Sequence, residues 1–168
     1  MITDNYWRFL AAALNTPEVG GSRLVGSLVD LNGDSEQMYF GTNDSWRRQF
    51  RQDSSYNGYL FARIGTGTTA PQYTDYALNS DITAAFSDII ITVVNNVGAN
   101  GLVKTISVTG NNSSSTAQTV TQIGVCKQFS SGVQSNVNTA LFAVGVLDQP
   151  ITVEPGLGFT VTFEWTES

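Results

Sequence analysis

Gly65 and Gly67 stand beside threonines in "IGTGTTAPQYTDYAL", residues 64–78. Backbone N–H groups in such a stretch can cradle a phosphate. A P-loop, however, needs G-x-x-x-x-G-K-[ST], because the lysine neutralises the phosphates and the hydroxyl binds magnesium. This stretch has neither that spacing nor a lysine. A dinucleotide fingerprint needs a third glycine where Ala70 stands, and Pro71 biases Ala70 towards extended geometry. The two glycines are expected to let the chain bend out of the preceding "YLFARI" strand.

The second candidate is "DLNGDSE". Asp30, Asn32, Asp34 and Glu36 alternate as oxygen ligands do in a calcium loop. The sixth loop position is Ser35 where an EF-hand needs Gly, and the twelfth is Gly41 where it needs Glu. Asn32-Gly33 is also a strong hairpin signal. A plain turn is expected, and no metal. The chain has no histidine and one cysteine, Cys126. That removes Ser-His-Asp and Cys-His catalysis, and the common zinc sites. Of the 14 acids, none sits in a motif that marks a general acid. The expectation is no enzyme and no cofactor. Cys126, in the strand-like "TQIGVCKQF", reads as a small core residue.

The third candidate is "SWRRQFRQ". Arg47, Arg48 and Arg51 cluster there, with Trp46 and Phe50 interleaved. Charge and stacking of this kind can hold nucleic acid. Three arginines in a chain of net charge −6 are a weak signal for it. An arginine–aromatic cluster also suits a protein interface, and a solvated loop is the plainer reading. Trp46, Arg47, Arg48 and Arg51 are therefore candidate partner-contact residues, with Tyr6 and Phe9. Trp7, Trp46, Trp165 and the tyrosines could also stack on sugar rings, against the plainer reading of buried aromatics.

What elements would position these residues? Apolar residues make up 41% of the chain and charged residues only 13%. Ser, Thr, Asn, Gln and Gly supply the polarity, a mix that suits strands and turns. The N-terminal stretch reads as a short helix. Thr3 or Asp4 can cap it, and Ile2, Tyr6, Phe9, Leu10, Ala13 and Leu14 share a face. Core packing is the simpler use of that face, and docking on a neighbouring subunit the functional one. Pro17 and Gly20-Gly21 end the helix. Asp4 stands where the basic region of a signal peptide would be, so cytoplasmic synthesis is expected. No apolar run reaches membrane-span length.

Beyond residue 20 the chain reads as β. "RLVGSLVDL", "EQMYFG", "YLFARIG", "DIIITVVNN", "LVKTISVTG", "TVTQIGVCKQF", "TALFAVGVL" and "GFTVTFEWT" are strand candidates joined by Gly-, Asn- and Ser-rich turns. The expected fold is mainly β: an antiparallel β-sandwich, jelly-roll or Greek-key-like, with a short N-terminal helix. One domain is expected over residues 1–168, with helix and linker in 1–20 and the sandwich in 21–168.

These residues carry a resemblance. "IGTGTTAPQYTDYAL" resembles a segment of tailed-bacteriophage structural proteins, in which a strand ends in a G-x-G-T-T-x-P loop followed by an acid and a leucine. "TVTQIGVCKQF" is similar to one of their strands, with Gln122 in the place of an acid. "ALFAVGVLDQPITVEPGLGFTVTFEWT" is similar to their closing strands, although Leu157 and Gly158 stand where an Asp is common. The resemblance runs from Tyr59 to the end. It implies a virion component of tail, adaptor, capsid-decorating or fibre-base type, without catalysis. Its implied partners are other virion proteins and copies of itself, not nucleic acid or membrane. A glycan- or receptor-binding module, using Trp and Tyr faces, is the alternative.

Overall fold

Side-chain alternation decides which residues meet between two sheets. The computed structural model describes residues 1–15, 23–40, 60–98, 101–131 and 136–167. In chain order these form helix α1 (Asp4–Asn15) and strands β1 (Arg23–Val29), β2 (Ser35–Phe40), β3 (Leu60–Gly65), β4 (Phe86–Gly98), β5 (Gly101–Asn112), β6 (Gln118–Ser131), β7 (Asn136–Val153) and β8 (Gly158–Glu167). All strand pairing is antiparallel. The fold is mainly β, as the composition and alternation predict.

β6 is the centre of a five-stranded sheet. β7 lies on one of its edges, and β3 and β2 share the other, with β1 outside β2. The second sheet has the order β4-β5-β8. β3 and β6 are neighbours in one sheet, while β4 and β5, which lie between them in sequence, are neighbours in the other. The same nesting sets β5 and β8 around β6 and β7. This is a Greek-key-like wrapping of one sheet over another.

The core lies between the sheets. Ala62 and Ile64 of β3, Val120, Ile123 and Val125 of β6, and Ala143 of β7 meet Ile91, Ile106, Val108, Phe159 and Val161 of the other sheet. β3, β5, β6 and β8 contribute residues two apart, except where β6 changes register with β7 between Val120 and Gln122. That irregularity turns Thr121 and Gln122 away from the core row, and lets Val120 and Ile123 both face it. Phe86 and Phe159 meet edge to face at 5.4 Å. Burying one such side chain stabilises the fold by about 1.5–3 kcal/mol.

α1 starts at Asp4, so Ile2 is not on it. Ile2 instead bridges Ala143 in extended form. The capping expectation is also altered by tertiary contacts. The Thr3 hydroxyl donates to the Leu141 carbonyl at 2.6 Å, and the Asp4 carboxylate accepts from Tyr73 and from Arg8. Asp4 still places a negative charge in the first helical turn, where the helix dipole favours it. Tyr6 and Phe9 are 6% and 0% exposed. Both pack on Phe142, at 6.0 and 5.3 Å between ring centroids. The helix thus uses its aromatic face on its own sheet.

Candidate functional site

The glycine-rich stretch becomes a strand exit. Gly65 ends β3 and bridges Asp81. Thr66 N–H donates to Ser80 O, and Ile82 N–H to Ile64 O, so residues 66–80 leave and return at one point. A Cβ on Gly67 would lie 2.7 Å from Asn79 Cβ and 2.9 Å from Gln122 Oε1. Glycine is there because neighbouring atoms crowd it, and the Thr66 amide is already bonded within the loop. The excursion covers the outer face of the five-stranded sheet. Leu78 packs on Cys126 and Leu141 there. Thr121 Oγ1 donates to Gly67 O at 2.8 Å and fastens the loop to β6.

Asp30 shows the same displacement of chemistry by structure. Its Oδ1 accepts from the amides of Asn32 and Asp34, and its Oδ2 from the Asn32 side chain. The carboxylate closes the turn between β1 and β2. Among the described residues no group of three or more Asp, Glu, Cys or His stands close enough to hold a metal ion. Cys126 is fully buried, and burial pushes its thiol pKa up to about 12. It has the character of a core residue, not a nucleophile. Gln122, in the place where the resemblance has an acid, is buried, and its Oε1 has no hydrogen-bond partner among the described residues.

Of the candidate contact residues, Trp46, Arg47, Arg48 and Arg51 lie outside the described residues. Tyr6 and Phe9 are brought together, but inside the chain's own core. The exposed aromatics are others. Trp7 and Tyr73 are 47% and 49% exposed, and Tyr73 donates to Asp4 Oδ1 at 2.8 Å. That bond to Asp4, more than burial, raises the Tyr73 pKa above the ordinary phenol value. Trp7, Tyr73 and the Asp4–Arg8 ion pair therefore form one exposed spot at the start of α1.

A groove of about 450 Å³ opens where β7 and β8 run along the same side of the sandwich. Ile123, Val161 and Phe163 form its apolar floor, with Leu147, Asp148 and Glu164 at its rim. β7 departs from its ladder with β6 here, since Gln122 pairs Val146 but Val120 pairs Ile151. Residues 147–150 therefore bulge. The N-terminal segment closes part of the β7 edge: Thr3 N–H donates to Phe142 O, and Val144 N–H to Met1 O. The Met1 amino group donates to Val144 O at 2.7 Å, and burial lowers its pKa. β8 is the other wall of the groove and the last strand of its sheet.

The outer face of the three-stranded sheet is a grid. The registers set Ile90, Thr109 and Thr160 in one row, Thr92, Ser107 and Thr162 in the next, and Val94, Thr105 and Glu164 in a third. The Ser107 and Thr162 hydroxyls bond at 3.0 Å. All nine are exposed or half-buried, and one is charged. Sequence reasoning identified these strands but not this face, because the grid appears only once the registers align three distant segments.

Compared with known proteins, the chain matches no family model, no curated protein and no solved structure.

Proposed function

We propose that this chain is a non-enzymatic structural protein of a bacteriophage virion, made in the host cytoplasm and assembled with copies of itself and other virion proteins. The observation that carries the reading is the three-stranded sheet. It offers a nearly uncharged face of Thr, Ser, Ile and Val beside a regular edge strand. Such a surface suits a contact with another protein, since desolvating it strips few charges of water. The resemblance from Tyr59 onward supports the virion assignment. Asp30 closes a turn through the Asn32 and Asp34 amides, and Gly67 sits where Asn79 and Gln122 crowd it, which supports a structural use of both stretches.

The test is compositional. Purified virions of the phage that encodes the chain are digested and analysed by mass spectrometry, with antibody labelling to place the protein. Virions free of the protein would end the reading. Replacing Arg47, Arg48 and Arg51 with Ser should leave a folded protein that incorporates poorly; normal incorporation would return that segment to the solvated-loop reading.

A second reading, a glycan- or receptor-binding module, is favoured by the exposed Trp7 and Tyr73 beside Asp4 and Arg8. Aromatic faces next to a hydrogen-bonding pair suit sugar stacking. Binding on a glycan array that Trp7→Ala abolishes would establish it.

A further inference from the structure

β8 ends the three-stranded sheet. Its pairing with β5 covers all ten residues from Gly158 to Glu167 without a register shift. The Asn112 N–H donates to the Leu157 carbonyl at 2.8 Å, one step before the strand. In an antiparallel ladder the N–H and C=O of a residue point to the same side, and the side alternates along the chain. Phe159, Val161 and Phe163 therefore bond β5. Gly158, Thr160, Thr162 and Glu164 turn their backbone groups to the other edge. Among the described residues no strand pairs with that edge.

Proteins guard such an edge with Lys, Pro or a bulge. β8 has none of these. The contrast with β7 is local, because Met1–Thr3 cover the β7 edge across the groove. The residues at the bare edge have one further property. From Phe159 to Phe163 they read FTVTF, the same in both directions.

We infer that β8 pairs with β8 of a second copy, antiparallel about a two-fold axis at Val161. In this register Thr160 faces Thr162 of the second copy, Phe159 faces Phe163, and Glu164 faces Gly158. The outward backbone groups of Gly158, Thr160, Thr162 and Glu164 all meet partners of the correct sense. Thr–Thr and aromatic pairs are favourable cross-strand neighbours. No like charges stand opposite, since the five central residues are neutral and each Glu164 meets a glycine. On the core side, the second copy's Phe159 and Phe163 come to the mouth of the groove, beside Val161 and Phe163. The two three-stranded sheets become one six-stranded sheet, and the hydroxyl grid runs across the join. This deepens the assembly reading by naming a self-contact. It rests on that reading for its biological use, while a soluble assay of pairing separates its failure from that of the virion assignment.

The experiment uses the whole chain. Sedimentation velocity over a micromolar concentration series should show a monomer–dimer equilibrium. Thr162→Lys puts a charge on the outward face opposite Thr160 of the second copy. It should weaken association by about tenfold or more while the far-UV circular dichroism stays unchanged. Independently of that variant, Thr160→Cys combined with Thr162→Cys should yield a covalent dimer on oxidation. Directly opposed residues stand within disulfide reach, whereas residues two apart on one strand do not. Thr160→Cys alone should not cross-link, because its own twin lies on the diagonal. A wild-type monomer throughout the series overturns the inference. So does a double-cysteine variant that stays monomeric, or a folded Thr162→Lys that associates like wild type.

Discussion

Phe9 is one of two rings, with Tyr6, that hold the helix to the sheet. It is fully buried, packs on Phe142, and lies 5.4 Å from the Lys127 ammonium. Removing that ring leaves a cavity and loses its transfer free energy. Phe9→Ala should cost about 3–5 kcal/mol in urea unfolding; a loss near zero would mean that the helix contributes nothing to the fold. Cys126 makes a second prediction. The thiol of an unfolded chain ionises near 9.0, but in the fold only at about 12. The folded state therefore holds its proton more tightly. The contribution is complete below pH 9.0 and is lost as pH rises towards about 12. Cys126→Ser should flatten that part of the stability–pH curve, and iodoacetamide should label the native protein only as fast as it unfolds. Rapid labelling of folded protein would contradict the burial argument.

The element scale shows how much was legible in the sequence. The strands of both sheets were, because β-branched alternation and turn residues are local signals. The glycine-rich stretch was also legible as a strand exit, since Pro71 and the missing lysine are local too. The start of α1 was legible at Thr3 or Asp4, but the partners of Thr3 and Ile2 were not, because these residues answer to Leu141 and Ala143, far along the chain. Nor was the length of β7. Its ladder resumes at Ile151 after a bulge containing Pro150, which the sequence presents as a linker. Lys127 continues the core-facing row of Ile123 and Val125, a place where alternation alone predicts an apolar side chain. The loop from Thr66 to Ser80 gives a test at this scale. A Cβ at position 67 meets Asn79 backbone and Gln122, whereas one at position 145 meets nothing within 4 Å among the described residues. Gly67→Ala should therefore destabilise by about 1–3 kcal/mol, and Gly145→Ala by far less. Equal melting temperatures for the two variants would show that the loop yields freely.

At the scale of the whole molecule, the question is whether two sheets unfold as one body. Every crossing between them, β3 to β4, β5 to β6 and β7 to β8, joins strands that line the shared core. Ile64 of the five-stranded sheet and Ile106 of the three-stranded sheet are both buried in that one cluster. A three-stranded sheet alone would expose its whole inner face, and the five-stranded sheet would lose its cover. Neither half keeps its apolar burial without the other, so partial unfolding gains little chain entropy for a large loss of contact. One transition is expected, with far-UV and near-UV circular dichroism coinciding along a urea titration. Ile64→Ala and Ile106→Ala should each lower that single midpoint, by about 2–5 kcal/mol in unfolding free energy. Two separated transitions, one moved by Ile64→Ala and the other by Ile106→Ala, would show that the sheets are independent units.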